Sequence, residues 1–190
     1  MSERGSDVPA LVRRAEALAR EVGFPLTRAE GEPSCCLPEV GRLLAVLAAS
    51  RPGGRIAELG TGVGYGTAWL ASGASAGTEI YSAEINEVRA GAAQGLLAEH
   101  GNVRVVHGDA FEALPPYGPY DLVFRDAGDS FDGLTELAKV GGIVVIDDLT
   151  PGGPIAGDAK REFAFGDHRL VCAEILVTPE QAVLLCARTR

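Results

Sequence analysis

The chain has 190 residues, 46% hydrophobic and 23% charged, the balance of a globular protein with a substantial core. Its formal charge of −9 sets an acidic surface against phosphate, and no basic run with interleaved aromatics offsets it, so nucleic acid is excluded as a partner. No apolar stretch reaches the ~20 residues that span a bilayer, and the polar opening Met1-Ser2-Glu3-Arg4-Gly5 lacks a signal-peptide core, so a cytoplasmic location with no membrane partner is expected.

Taken in chain order, residues 8–22 carry Leu11, Ala15, Leu18, Ala19 and Val22 at helical spacing and predict an amphipathic helix. A loop rich in Gly, Glu, Pro and Cys follows, and Pro38 opens a second helix to about Ser50. Strands are then predicted at 55–59, 79–83, 103–107, 121–125 and 142–146, alternating with helices at 64–72, 87–99, a short piece at 109–114, and 131–139. This β-α succession with short connections predicts a doubly wound, mostly parallel α/β sheet covered on both faces. Leu170 to Val177 and Gln181 to Ala187 flank Thr178-Pro179-Glu180 and predict a C-terminal antiparallel hairpin, which brings the sheet to seven strands. No repeat or linker divides the chain, so residues 1–190 are expected to be one domain, with 1–50 covering a site built on 51–190. The cysteines have no metal-ligand spacing. Cys172 and Cys186 lie symmetrically about Pro179 and face each other across the hairpin; in a reducing cytoplasm they are expected to be two buried thiols.

The most informative stretch is Glu58-Leu59-Gly60-Thr61-Gly62-Val63-Gly64-Tyr65, where the first of the parallel strands hands over to a helix. Glycines at 60, 62 and 64 let a ligand reach main-chain N–H groups and the positive end of that helix. The dinucleotide spacing G-x-G-x-x-G is not met, because its third glycine would fall on Tyr65 or Thr67. The pattern E-x-G-x-G-x-G-Y resembles motif I of the class I S-adenosylmethionine-dependent methyltransferases. That resemblance implies a Rossmann-like fold and S-adenosylmethionine as cofactor. It also implies a cofactor-binding set of Glu58, Gly60, Thr61, Gly62, Gly64, Tyr65, Gly66, Glu84, Ile85, Asp109, Ala110 and Asp126. Glu84 ends the second strand, where a carboxylate accepts from both ribose hydroxyls; standing alone it would read as an exposed residue before a helix. Asp109 follows the third strand along the adenine, and also suits a cap for the short helix after it. His107 reads as a strand-end residue, and Glu58 as a support for the loop or for the methionine amino group. Gly66 departs from the family, which usually has a serine there.

The fourth and fifth predicted strands end in Asp126 and in Asp147-Asp148. Three carboxylates at neighbouring strand ends repel one another unless a cation joins them, and oxygen donors suit Mg²⁺ or another hard divalent ion. This resembles the metal-dependent O-methyltransferases of the catechol and caffeoyl-CoA type and their small bacterial relatives. The resemblance implies a metal on Asp126, Asp147 and Asp148 that acidifies and orients a hydroxyl of a small-molecule methyl acceptor. It implies a homodimer as well, since small bacterial relatives are often dimers. The pair is Asp-Asp where better-known members have Asp-Asn. The family's basic lysine, three residues after the first metal aspartate, is here Asp129. Lys139 and Lys160, the only lysines, stand in another register. Asp129 is therefore the candidate base beside Asp126, unless the metal suffices or the acceptor is not a catechol. A cofactor-binding module without transfer, or a metal-independent methyltransferase, are the other readings. Residues 31–36, by resemblance, fold over the cofactor. Residues 150–168, with Phe163, Phe165 and His168, form the other wall of the acceptor site, although these aromatics also suit a core.

Overall fold

Short apolar runs rich in Val, Ile and Leu become five parallel strands. These are β1 (Arg55–Leu59), β2 (Glu79–Glu84), β3 (Val103–His107), β4 (Tyr120–Arg125) and β5 (Ala138–Leu149). The hairpin adds β6 (Leu170–Leu176) and β7 (Ala182–Arg188). The computed structural model describes residues 8–128 and 130–190. Among them the seven strands form one sheet in the order β3-β2-β1-β4-β5-β7-β6, with β7 antiparallel to both neighbours. The winding reverses between β1 and β4, which opens a crevice at the carboxyl ends of those two strands.

Helices α1 (Ala10–Glu21), α2 (Pro38–Ala49) and α3 (Tyr65–Gly73) bury one face of the sheet, where Ile56, Ile80, Leu122, Phe124 and Val145 are almost fully enclosed. On this side α4 (Glu87–Leu97) contributes Leu96 and Leu97. The opposite face carries Ala57, Leu59, Val123, Val144 and Ile146, under α6 (Leu134–Leu137) and α7 (Ala159–Gly166). A short helix, α5 (Ala110–Ala113), follows β3. Helix α2 lies tight on α3 because each helix contributes a glycine to the contact. A Cβ on Gly41 would overlap the Trp69 ring, and one on Gly73 would overlap the Ala45 carbonyl.

The structure departs from the sequence-based expectations at four places. The helix expected over 131–139 shrinks to Leu134–Leu137, because Ala138 pairs with Tyr120 and begins β5. The strand expected at 142–146 extends to Leu149, so Asp147 and Asp148 lie inside β5 rather than after it. There they form a bulge opposite β7, between the Ile146–Leu184 and Leu149–Ala182 pairs, and Asp148 takes a left-handed φ of 64°. The wall expected over 150–168 contains α7, which had a sequence signal: Asp158 caps it by accepting from the Lys160 and Arg161 amides. Finally, Cys172 and Cys186 stand directly opposite each other in the β6–β7 register, as the hairpin reading required, but are joined as a disulfide instead of remaining thiols.

The α2–α3 crossing yields a paired test. Alanine normally stabilises a helix relative to glycine by about 0.5–1 kcal/mol. Gly91→Ala and Gly95→Ala in α4, where an added Cβ meets nothing within 4 Å, should raise the melting temperature slightly. Gly41→Ala should instead cost about 1–3 kcal/mol through overpacking against Trp69, a fall of several degrees in a thermal melt.

Candidate active site

The loop after β1 is held from below by a buried polar chain. Glu58 is completely buried; its Oε2 accepts from Ser82 Oγ at 2.6 Å and from Thr67 Oγ1. Ser82 in turn shares a hydrogen bond with Thr61 Oγ1 in the loop. Thr67 and Ser82, from α3 and β2, were not singled out in the sequence; alternation along β2 points Ser82 towards the same layer as Glu58. Oε1 of Glu58 is buried with no hydrogen-bond partner among the described residues. It packs against Gly66, where any Cβ would overlap it, so the glycine found in place of the family's serine makes room for this carboxyl. Burial pushes the Glu58 carboxyl up to about 7, against the pull of its two hydroxyl donors. The loop is stitched to β2 by the Gly60 and Thr61 amides, which both donate to the Ala83 carbonyl. Gly60, at φ 94°, also comes so close to Ala127 that a side chain could not fit.

A cleft runs over this loop, lined by Gly60, Thr61, Gly62, Tyr65, Gly66, Glu84, Ile85, Asp109, Ala110 and Asp126 among others. The fold therefore brings ten of the twelve residues expected to bind cofactor to one cavity wall. Glu58 lies beneath the loop, and Gly64 begins α3 behind it. Glu84 is buried and already engaged. Its Oε2 accepts from the Gly62 amide at 2.8 Å, and its Oε1 from the Asn86 amide at 2.9 Å and from Arg89 Nε and Nη2 at 3.0 and 2.7 Å. Arg89, which the sequence reading missed, sits with its guanidinium 5.9 Å from the Phe24 ring centroid. Phe24 itself lies over Gly62 and, with Pro33, Ser34 and Cys35, brings the N-terminal segment across the cleft. Asp109 is exposed and caps α5, accepting from the Phe111 amide at 2.9 Å.

Of the carboxylates predicted for the metal, Asp126 lines this cleft and Asp148 lines a second cavity, with Asp147 buried beside it in β5. Loss of solvent and the charges of Asp147, Asp148 and Glu58 push Asp126 well above the usual carboxylate range. Burial and Asp148 raise Asp147 to about 6. Asp147 Oδ1 accepts from the Asp148 amide at 2.7 Å and from Gln181 Nε2 at 3.0 Å, while Oδ2 is buried without a partner among the described residues. Asp148 meets Gln181 Nε2 at 3.5 Å and Arg28 at 3.7 Å. Among the described residues no three or more His, Cys, Asp or Glu side chains are gathered as a ready-made metal cluster. Asp129, the candidate base, lies outside the described residues. Of the two lysines in another register, Lys139 pairs with Asp121 at 2.5 Å at the opposite end of the sheet. Lys160, by contrast, is carried by α7 back to β5, where its Nζ donates to the Asp147 and Asp148 carbonyls at 2.7 and 3.0 Å. Of the wall aromatics, Phe163 stacks on Phe131 at 4.9 Å, whereas Phe165 and His168 face solvent.

Residues 57–149 match the family model of a methyltransferase domain. The chain is 33% identical to the catechol O-methyltransferase of Mycobacterium tuberculosis over 139 residues, 68% of this chain and 63% of that protein. It thus spans a little under two thirds of that relative's length. It is also 33% identical over 157 residues to a protein of Mycobacterium marinum that carries an O-methyltransferase name, covering 75% of this chain and 70% of the relative. Two solved structures share the fold. The O-methyltransferase TomG of Streptomyces achromogenes, in complex with S-adenosylmethionine, superposes with a TM-score of 0.76 at 24% identity, covering 97% of this chain and 92% of TomG. The O-methyltransferase of Bacillus cereus, in complex with S-adenosylhomocysteine, does so at 0.79 and 20%, covering 98% and 94%.

The buried Glu58 makes a pH prediction. Unfolded, this carboxyl ionises near 4.5; folded, it holds its proton to about 7. The folded state therefore loses stability as pH rises between those values, by on the order of 2–4 kcal/mol. Glu58→Gln cannot ionise, so its stability relative to the native protein should climb from pH 4.5 to 7 and then level off in urea melts. A difference that stays flat across that window would show that Glu58 is ionised in the fold.

Proposed function

The chain belongs to the O-methyltransferase family of its mycobacterial relatives, and on that premise we propose that it transfers a methyl group from S-adenosylmethionine to a hydroxyl oxygen of a small molecule. The observation that carries this reading is the glycine-loop cleft, floored by Glu58 and closed at the end of β2 by Glu84. When bound, S-adenosylmethionine supplies an electrophilic methyl on a positively charged sulfur.

The residues divide the work along the cleft. Glu84 accepts from the ribose hydroxyls, using the lone pair of Oε2 left beside its Gly62 bond and exchanging Arg89 for ligand donors on Oε1. Ile85 and Phe111 offer apolar surface to the adenine, and Asp109 and Ala110 border its edge. Asp126, in the lining of the cleft, would meet the methionine end of the cofactor and the acceptor. Phe24 and the segment from Pro33 to Cys35 exclude water from above.

A divalent cation fits the donor chemistry at the acceptor end. Burial and neighbouring carboxylates raise the proton affinity of Asp126 and Asp147 there, and the buried Oδ2 of Asp147, which has no hydrogen-bond partner among the described residues, is a hard donor. Asp126, Asp147 and Asp148 would hold it, and its charge would lower the pKa of an acceptor hydroxyl and help orient it. The acidic surface and a cleft of small-molecule size favour a small acceptor over a polymer.

Calorimetry with S-adenosylhomocysteine tests the cofactor assignment: the native protein should bind it, and a folded sample that does not bind refutes the proposal. Glu84→Ala should weaken binding about 10- to 100-fold, the value of a charge-assisted pair of hydrogen bonds. The metal is tested separately, by methyl transfer to a panel of catechols and phenols. Turnover should fall on adding EDTA and return with excess Mg²⁺; activity indifferent to both assigns acidification of the hydroxyl to the protein alone.

A further inference from the structure

Glu84 ends β2 with its main chain held, since its carbonyl accepts from the Gly108 amide at 2.9 Å. The first turn of α4 is set by Asn86, whose Oδ1 accepts from the Arg89 amide at 3.0 Å. This cap brings the Arg89 side chain back over the end of β2, where Nε and Nη2 grip the same carboxyl oxygen, Oε1. The load on the two oxygens is unequal. Oε1 takes three donors, the Asn86 amide and two from Arg89, whereas Oε2 takes the Gly62 amide. A carboxylate oxygen offers about two lone-pair directions, so Oε2 keeps one open and Oε1 none. The Glu84 side chain is 4% exposed and that of Arg89 28%, with the guanidinium 5.9 Å from the Phe24 ring centroid. Phe24, Glu84 and Arg89 all line the cofactor cleft, so this ion pair lies on the cleft wall itself.

We propose that Arg89 is a built-in competitor of the cofactor's ribose and thereby sets the cofactor affinity of this chain. The inference rests on the transferase reading above. The ribose carries two neighbouring hydroxyls, and Glu84 can take one of them on the open lone pair of Oε2 with Arg89 still in place. The second hydroxyl needs Oε1, and it donates there only as Nε and Nη2 let go. A charge-assisted fork is then exchanged for a neutral donor, which binds a carboxylate less strongly. The released guanidinium recovers part of the difference by hydration through its exposed side. Arg89 therefore lowers affinity at the same carboxylate that recognises the ribose. A ligand without the two hydroxyls leaves the fork undisturbed, so its binding is indifferent to Arg89.

The test is calorimetry with S-adenosylhomocysteine and with its 2′,3′-dideoxy analogue, on the native protein, Arg89→Met and Arg89→Lys. Arg89→Met should bind S-adenosylhomocysteine about 5- to 20-fold more tightly than the native protein, the scale of one charge-assisted hydrogen bond. Its affinity for the dideoxy analogue should stay within about twofold of the native value, as for groups that do not couple. Arg89→Lys keeps the charge but replaces the fork with a single ammonium. It should fall between the two for S-adenosylhomocysteine, and it guards against a Met variant that folds poorly. The proposal is overturned by a folded variant that binds S-adenosylhomocysteine no more tightly than the native protein does, because Arg89 would then orient Glu84 instead of competing for it. It is equally overturned by a gain of the same size for the dideoxy analogue. Failure of the native protein to bind S-adenosylhomocysteine at all would strike instead at the transferase reading.

Discussion

The site depends on one buried carboxyl. Glu58 sits beneath the glycine loop with no access to water, and its Oε2 gathers hydroxyls from β2 and α3 at one point. Through Ser82 the same chain reaches Thr61 in the loop itself. Burying a polar group is costly unless it is satisfied, so the network tolerates one geometry and few others. That rigidity is what a glycine loop otherwise lacks, since glycine brings no side chain to fix its own backbone. The loop can thus present bare amides to a ligand while the rigidity comes from the layer below. Gly66 belongs to the same arrangement, as a space reserved for the second carboxyl oxygen.

The carboxylates at the ends of β4 and β5 show the opposite electrostatic strategy. Burial and neighbouring carboxylates push up the proton affinity of Asp126 and Asp147. Around them the protein supplies donors from three distant parts of the chain: Arg28 from the N-terminal segment, Lys160 from α7 and Gln181 from the hairpin turn. Lys160 grips the backbone of the bulge while Gln181 grips its side chains, so the left-handed turn at Asp148 is held from both sides. A strained residue kept in place by several independent contacts marks a position the structure maintains for use.

Much of the sheet could be read locally. An apolar run of five or six residues ending in glycine or a carboxylate carries its own identity as a buried parallel strand, and the spacing around Gly60 distinguishes the cofactor class from a dinucleotide. The misses occur where partners are distant. Residues 131–139 contain too short an apolar run to tell helix from strand, and Ala138 is drawn into β5 only because Tyr120 lies beside it. Helix α7 did announce itself through Asp158 and the helix formers after it, but the glycines and prolines just upstream masked that signal. Arg89, Arg28 and Gln181 are ordinary surface residue types, and nothing local marks their contacts.

What the sequence determined by itself is the fold class, the loop that faces the cofactor and the line of acidic residues at the strand ends. These follow from period-two and period-three-to-four patterning and from glycine spacing, which act over a few residues. What only the tertiary structure decided is which donors, Arg28, Lys160 and Gln181, meet those acids. Lys160 is 34 positions from Asp126 in the chain, counting from 126 to 160. Its side chain reaches the bulge because the ion pair of Arg161 with Glu174 fastens this turn of α7 to β6. Charges find their partners through space, and sequence separation carries no information about such a meeting until the chain has folded.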